Sequence, residues 1–333
     1  MDAWSIARDR YRRMAPAADV LAPLGFSPSV SPSVDDPPLI SSVESQQRFL
    51  DYILCDPLVL KYPPSAKYTA RLLKLLLDFL GSKFEAHEGL LDLYFEKNTA
   101  QPIEDGAMRN VVYKSWTLTQ GNEEKGAVTI RMADQLDSVG LTSWQAGFML
   151  ADFIAANTQL FNDRKCLELG SGVGLTGIAL AKLAHPRRLC LTDYTHEVLA
   201  NMRTNAEING LPDLEILQLD WEQFEADSVE SDDLVPFYPD VILAADCVYD
   251  TGLVEKMCVV LRKLLSKPAE GQQAVAYIAT TLRNPKTFQF FMDQLKANRL
   301  QHEDISASVS YTNMFEQPHD GIILSRIVCS QSS

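Results

Sequence analysis

The sequence predicts an α/β protein built around a doubly wound, mostly parallel sheet. From Lys165 onward, apolar segments of strand length alternate with amphipathic segments of helix length. Such alternation is typical of βαβ units, whose strands lie parallel in one sheet. A glycine-rich segment at residues 170–177 separates the first of these strands from the first helix. The residues before this sheet predict two further parts, an all-helical N-terminal part and a β-hairpin.

The first hundred residues show helical periodicity and carry no chemical motif. Trp4, Ala7, Tyr11 and Met14 would lie on one face of a first helix of about 25 residues. Residues 27–42 are rich in proline and serine and are expected to form a linker. Further helices are predicted at Glu44–Cys55, Ser65–Leu80 and Ala86–Lys97.

A β-hairpin is predicted next, because two segments of strand type, Val111–Trp116 and Ala127–Arg131, flank a polar turn at Gln120–Gly126. The strands of the sheet follow at Lys165–Leu169, Arg188–Thr192, Glu215–Leu219, Asp240–Ala245 and Ala274–Thr280. Its helices are predicted at Leu175–Ala184, His196–Asn209, Gly252–Leu265 and Lys286–Ala297.

The C-terminal part contains two more strands, at about Ile305–Tyr311 and Gly321–Cys329. No helix lies between them, so they should pair as an antiparallel hairpin at the edge of the sheet. We therefore predict two domains: a helical region at residues 1–100, and a sheet domain at residues 101–333 that includes the first hairpin.

Composition excludes several classes of protein. The 333 residues include 30 lysines and arginines against 44 acidic residues, a formal net charge of −14. So negative a surface repels nucleic-acid phosphates. No apolar run reaches the length of a membrane span, and the N-terminus lacks the pattern of a secretory signal. The six cysteines and five histidines show no metal-ligand spacing, so we expect free thiols and no metal site.

The glycine-rich segment predicts a ligand site. Residues 170–177 follow a strand and open a helix, where glycines let the backbone approach a ligand closely. Asp193 closes the next strand, where a carboxylate can accept hydrogen bonds from both hydroxyls of a ribose. We therefore expect a nucleoside-containing cofactor at the carboxyl ends of these strands. The alternative is a glycine turn that serves only packing.

Two cofactors compete, because residues 172–177 also match the dinucleotide pattern G-x-G-x-x-G. Three features favour S-adenosylmethionine over NAD. Glu168 at the strand tip suits an amino group and would repel a pyrophosphate. The loop lies in the middle of the chain, whereas a dinucleotide fold more often begins with it. The terminal strand pair fits the last strand inserted in a methyltransferase sheet.

Two tryptophans and one strand end are further candidates. Trp221 ends the third strand, where it could stack on an adenine or belong to the core, and Trp144 could cover the cofactor from the other side. Asp246 and Tyr249 follow the fourth strand, beside the expected methyl group. A carboxylate at the end of an apolar strand is costly without a partner. The alternative is that Asp246 only caps the next helix.

These residues resemble the seven-β-strand protein-lysine methyltransferases that carry a D-x-x-Y motif. Within that family they are most similar to the members that methylate eukaryotic elongation factor 2. The similar segments are Lys61–Tyr68, Leu141–Trp144, Leu167–Gly177, Leu219–Trp221, Ala244–Tyr249 and Leu282–Thr287. The resemblance implies a seven-stranded class I methyltransferase sheet, S-adenosyl-L-methionine as cofactor and elongation factor 2 as the protein partner.

The resemblance also implies roles for single residues. Cofactor contacts are implied for Trp144, Gly170, Ser171, Gly172, Asp193, Trp221 and Ala245. Asp246 and Tyr249 match the D-x-x-Y pair and are implied to be catalytic. A carboxylate raises the pKa of a neighbouring lysine, so we expect Asp246 to orient the amine rather than to act as a simple base. Tyr249 would line the channel, and the proton would leave through water.

Two other functions remain open from the sequence: an NAD-dependent oxidoreductase, and a binder of a translation factor that catalyses nothing. We expect a cytoplasmic monomer that binds neither nucleic acid nor membrane. The helical region is expected to recognise the protein substrate through Lys61–Tyr68. The alternative is that this segment only begins a helix and packs it.

Overall fold

A computed structural model gives the fold. It describes residues 2–29, 32–105, 108, 110–120, 123–134, 139–224, 237–266 and 273–330. The chain forms two compact units, Met1–Asp137 and Ser138–Ser333. Residues 30 and 31 of the predicted linker and residues 121 and 122 of the predicted turn lie outside the described residues. No described helix combines the length and apolar character needed to cross a bilayer.

The first unit contains the predicted helices and the predicted hairpin. Its helices are α1 (Ala3–Arg12), α2 (Ala17–Leu21), α3 (Val43–Phe49), α4 (Pro57–Lys61), α5 (Ala66–Leu80) and α6 (Glu88–Thr99). The antiparallel strands of the hairpin are β1 (Val111–Gln120) and β2 (Glu123–Ala133). The single helix predicted at the N-terminus is wrong in length: α1 ends at Arg12, and Met14 takes a left-handed conformation with φ of 58°.

Apolar packing orders the first unit. Helix α5 begins after Ser65, whose hydroxyl accepts a hydrogen bond from the Tyr68 N–H, and one face of α5 is fully buried. Ile40, from the predicted linker, is also buried, and its N–H donates to Leu24 O at 3.1 Å. The guanidinium of Arg12 pairs with the buried Asp56 carboxylate at 2.7 Å. The predicted linker therefore packs into this unit at Ile40, while most of its other described residues are exposed.

The second unit contains one mixed sheet with helices around it. Its strands are β3 (Lys165–Leu169), β4 (Arg188–Asp193), β5 (Glu215–Gln218), β6 (Val241–Ala245), β7 (Val275–Thr281), β8 (Leu300–Asp304) and β9 (Ile322–Cys329). Its helices are α7 (Gln145–Ala156), α8 (Leu175–Leu183), α9 (His196–Ile208), α10 (Thr251–Leu265) and α11 (Pro285–Ala297). These elements confirm the predicted fold class.

The strand order explains where a ligand site can form. Within the described residues the order is β5-β4-β3-β6-β7-β9-β8, with β3 to β7 parallel and β9 antiparallel to both of its neighbours. The chain leaves β3 towards β4 on one side and later returns to β6 on the other side. A crevice opens at the carboxyl ends of strands where the order reverses in this way.

The position predicted for the first C-terminal strand is wrong. The strand is β8, at Leu300–Asp304, and the residues predicted as strand, 305–311, belong to the connection between β8 and β9. This connection is held by the buried Asp152 on α7, which accepts hydrogen bonds from the hydroxyl of Thr312, the N–H of Met314 (2.8 Å) and the ring of His319 (3.2 Å). Because the connection bonds to α7, it adds no strand to the sheet.

The compact units divide the chain at a different place from the predicted domain boundary. The hairpin of β1 and β2 belongs to the first unit, whereas the sequence analysis grouped it with the sheet. The hairpin lies with the helices because α1 packs against β1. The functional boundary near residue 100 stays a prediction.

Candidate functional site

A pocket of about 620 Å³ opens at the carboxyl ends of β3 and β6, where the strand order reverses. All nine site residues predicted from the sequence line it: Trp144, Gly170, Ser171, Gly172, Asp193, Trp221, Ala245, Asp246 and Tyr249. They come from segments spread over about 100 residues of the chain. The fold thus brings the predicted residues to one place, while their individual roles stay predictions.

In the loop after β3, two glycines have backbone angles that residues with a side chain rarely adopt. Gly170 and Gly172 have φ of 61° and 53°, in the left-handed region that favours glycine. A Cβ on Gly170 would lie 2.8 Å from the Sγ of Cys247, and a Cβ on Gly172 would lie 3.4 Å from Gly140 O. The left-handed backbone and, at Gly170, the nearby Cys247 sulfur therefore favour glycine at these positions beside the pocket.

Asp193 lies at the end of β4 beside this loop. Its carboxylate accepts hydrogen bonds from the N–H of Gly172 at 3.0 Å and from the N–H of Tyr194 at 2.8 Å. Burial raises the pKa of Asp193 above its ordinary value. Each carboxylate oxygen can accept two hydrogen bonds, so the carboxylate retains acceptor capacity for a ligand hydroxyl.

Glu168, at the tip of β3, carries a buried carboxyl group beside the pocket. Only 2% of the residue is exposed, and among the described residues its Oε2 has no hydrogen-bond partner. Burial raises the pKa of Glu168 to about 8, although hydrogen bonds from Ser171, Gly177 and Thr176 act to lower it. A carboxyl group in this state is suited to pair with an ammonium group that enters the pocket. The amino group of S-adenosylmethionine meets that requirement, and a pyrophosphate does not.

Two tryptophans line the pocket from different segments. Trp221, after β5, packs partly against the core, and two of its ring carbons would lie 3.6 Å from a Cβ on Gly170. Trp144 precedes α7, and its indole N–H donates to Val139 O at 3.0 Å. The two predicted roles for Trp221, in the core and in the pocket, are therefore compatible.

Asp246 turns out of the sheet at the end of β6. It has φ of 53°, a left-handed conformation that aspartate tolerates better than most residues. Its carboxylate accepts hydrogen bonds from the N–H and the hydroxyl of Thr281, at 2.9 and 3.0 Å, and from Arg283 at 3.2 Å. Asp250, and not Asp246, caps α10. The alternative that Asp246 serves only as a helix cap is therefore wrong.

The residues that follow Asp246 include a buried cysteine and an exposed tyrosine. Tyr249 is 52% exposed and lines the pocket, and partial burial raises the pKa of its hydroxyl. Cys247 is buried behind Gly170, and burial raises the pKa of its thiol well above the ordinary value. The thiol is therefore protonated at neutral pH and is a poor competitor for an electrophile.

Thr281 and Arg283, which the sequence did not predict, bond to Asp246 although neither lines the pocket. They lie at the end of β7, 35 and 37 residues after the carboxylate that they contact. Arg283 also stacks on Trp144, with its guanidinium carbon 4.6 Å from the centre of the ring. The one signal available was the similarity at Leu282–Thr287, which gave no role to any residue there. The described residues contain no group of three or more side chains that could hold a metal ion.

Comparison with known proteins identifies the family. A family described as lysine methyltransferase matches residues 123–298. The human protein-lysine N-methyltransferase EEF2KMT is 32% identical over 255 residues, which cover 72% of this chain and 73% of the human protein. The protein of that name from Bos taurus is 33% identical over 276 residues, covering 75% and 76%. A third relative, the protein-lysine N-methyltransferase EFM3 of Chaetomium thermophilum, is 29% identical over 246 residues, covering 69% and 72%.

Among solved structures, a methyltransferase from Pyrococcus furiosus aligns with 60% of this chain and 87% of its own, at 16% identity and a TM-score of 0.41. The identity to the lysine methyltransferases is the stronger finding, since it extends over most of both chains. It decides between the two competing cofactors, because these enzymes take their methyl group from S-adenosylmethionine. The pocket lined by Glu168 and by the glycines of the loop after β3 fits that cofactor. The chain belongs to the family of S-adenosylmethionine-dependent protein-lysine methyltransferases.

Proposed function

We propose that this protein methylates a lysine of elongation factor 2. One observation supports this substrate above others: the human and bovine relatives, at 32% and 33% identity, are both named EEF2KMT. The similarity covers more than 70% of each chain. The family match over residues 123–298 spans Asp246 and Tyr249 at the pocket. The location that suits this substrate is the cytoplasm, and the form that we propose is a monomer.

Six residues are proposed to bind the cofactor. Glu168 pairs with its amino group, because Oε2 of this buried carboxyl lacks a partner in the described residues. Asp193 accepts the hydroxyls of its ribose. Trp221 contacts the adenine and Trp144 covers it. Gly170 and Gly172 leave the space that the ligand fills.

The chain's own residues prepare the amine that accepts the methyl group. When bound, S-adenosylmethionine supplies a methyl group on a positive sulfur, which a neutral amine takes by in-line displacement. Lysine titrates near 10.4, so a neutral amine at pH 7 costs roughly 4.6 kcal/mol. Partial desolvation beside Tyr249 reduces this cost by disfavouring the ammonium form. Asp246 accepts a hydrogen bond from the amine and directs its lone pair, and the proton leaves through water.

We further propose that the helical region recognises the protein substrate. Lys61 and Leu60 end α4, and Leu60 is 65% exposed, which is unusual for so large an apolar side chain. The ring of Tyr62 packs at a tilt against Tyr113 of β1, with ring centres 5.4 Å apart. Tyr68 has a different role, since its hydroxyl donates to Ala15 O at 2.7 Å and packs the helix. The first half of the Lys61–Tyr68 segment thus suits recognition, and the second half suits packing.

The test is transfer of a labelled methyl group. The purified protein is incubated with labelled S-adenosylmethionine and purified elongation factor 2, and the same reaction is run with a cell lysate. We expect labelled lysine in the factor and one main labelled band of its size in the lysate. Gly170→Arg serves as the control without cofactor binding. A wild-type protein that labels a different lysate protein and leaves the purified factor unlabelled would refute the proposed substrate.

A further inference from the structure

We infer that Thr281 and Arg283 are positioning residues for methyl transfer: they fix the Asp246 carboxylate in the orientation that receives the substrate amine. The inference rests on the proposed role of Asp246. It extends that role to two side chains at the end of β7, which bond to the carboxylate. Neither residue lies among those that form the pocket.

The backbone of Asp246 requires such support. A left-handed residue other than glycine costs about 1 kcal/mol or more, and persists where its surroundings hold it. The N–H of Asp246 donates to Ala279 O at 2.9 Å, on the neighbouring strand. The backbone of Asp246 is thus bonded to β7 two residues before Thr281. This bond brings the carboxylate alongside the end of β7.

The hydrogen-bond donors at the end of β7 leave one acceptor site of the Asp246 carboxylate unfilled among the described residues. Oδ1 of Asp246 accepts from the N–H of Thr281, and Oδ2 accepts from the Thr281 hydroxyl and from Arg283. A carboxylate has about four acceptor sites, two on each oxygen. Among the described residues, three of the four are filled, and the remaining site is on Oδ1. A single hydrogen bond from an amine completes the set.

Arg283 is held on both sides although half of its side chain is exposed. Its guanidinium pairs with Asp246 and stacks on the ring of Trp144. Trp144 is fixed in turn by its hydrogen bond to Val139 O. Arg283 therefore connects the carboxylate at the substrate end of the pocket to the tryptophan at the cofactor end.

The neighbouring threonine provides a matched control. Thr280 is 2% exposed, and among the described residues its hydroxyl has no hydrogen-bond partner. Thr280→Val and Thr281→Val make the same chemical change one residue apart on the same strand. Removing an unpartnered buried hydroxyl leaves stability equal or improved. A difference in turnover between the two variants therefore reports the bond to Asp246.

The experiment measures turnover, KM and cofactor affinity for these variants in the full-length protein. We expect Thr281→Val to lower kcat by about tenfold, since small misplacements at a reacting centre cost up to about a hundredfold. Thr281→Ser keeps the hydroxyl and should restore kcat to within about twofold of wild type. Cofactor affinity by calorimetry should stay within about twofold throughout, which separates positioning from binding.

A double-mutant comparison shows whether the effect acts through Asp246. In a protein that already carries Asp246→Ala, Thr281→Val should change kcat by less than about twofold. Arg283→Gln provides a second variant if Thr281→Val fails to fold, because it alters an exposed side chain. Arg283→Gln should lower kcat, and Arg283→Lys should restore much of the lost turnover. The inference is overturned if Thr281→Val turns over like Thr280→Val, or if Arg283→Gln turns over like wild type.

The readouts separate this inference from the proposed substrate. The relative rates of the variants are also measured as total labelled methyl transferred to lysate protein, whichever protein accepts it. If elongation factor 2 is unlabelled while another protein is labelled, the substrate proposal fails and the comparison of variants still stands. A crystal structure of Thr281→Val in which the Asp246 carboxylate keeps its orientation would refute the inference for any acceptor.

Discussion

Glu168 offers the sharpest test of the cofactor site, because burial of its carboxyl group lowers the free energy of unfolding as the pH rises. Its pKa is about 8 in the folded protein, against 4.5 for an exposed glutamate. The difference corresponds to roughly 5 kcal/mol. Below pH 4.5 the group is neutral in both states and costs nothing as an ion. As the pH rises towards 8, the unfolded state ionises first, so the free energy of unfolding falls.

The perturbation is Glu168→Gln, which keeps the size of the side chain and removes its titration. Between pH 5 and pH 8 the wild-type protein should lose roughly 3 kcal/mol more stability than the variant. Urea unfolding of both proteins at the two pH values, without cofactor, measures this loss, and groups common to both proteins cancel. Glu207→Gln, which removes an exposed carboxylate on α9, should follow the wild-type curve. Equal pH dependence in wild type and Glu168→Gln would refute the reasoning.

The same group links cofactor binding to protons. At pH 7 most of the free protein carries a protonated Glu168, given the pKa of about 8. An ammonium group placed beside the carboxyl lowers that pKa, so binding should release close to one proton per site. Calorimetry in buffers of different ionisation enthalpy measures the release. Wild-type binding without proton release would exclude Glu168 as the partner of the amino group.

Three further outcomes are expected. Gly170→Arg should abolish S-adenosylmethionine binding by calorimetry, since a Cβ there lies 2.8 Å from the Cys247 sulfur at a left-handed backbone position; normal affinity would remove the basis of the site assignment. Asp246→Asn should lower turnover by at least about tenfold with little change in cofactor affinity, and near-full turnover from pH 7 to 9 would mean that the charge is unused. Lys61→Glu should raise the KM for elongation factor 2 and leave cofactor affinity unchanged, and an unchanged KM would count against recognition by α4.

Local sequence signals predicted the sheet and most of the pocket, because these depend on short-range patterns. The glycines of the loop after β3 indicate a left-handed backbone at their positions. Asp193 is the last residue of a buried strand, which is where the sequence predicts a ligand-binding carboxylate. The partners of Asp246 were not predictable in this way. Thr281 meets Asp246 because β6 and β7 pair in one register, and a one-residue slip would have presented Thr280 instead.

The misplaced C-terminal strand has a similar cause. Residues 305–311 have the alternation of a strand, but their chain continues into hydrogen bonds with Asp152 on α7. The hydrogen bonds that several donors make to this buried carboxylate stabilise the connection. This stabilisation is larger than the weak preference of a short segment for pairing as a β-strand. Contacts between residues about 160 positions apart leave no local trace in the sequence.

The bonds of Asp152 also order events during synthesis. Its partners Thr312, Met314 and His319 lie 160, 162 and 167 residues later in the chain. At about 5–20 residues per second, a ribosome makes them roughly 10 to 30 s after α7. Until then burial of the ionised carboxylate is unfavourable, because a buried charge without donors is costly. We therefore expect helix α7, whose Gly147 lines the pocket, to dock late, and the pocket to bind the cofactor stably only after the residues up to 319 have emerged.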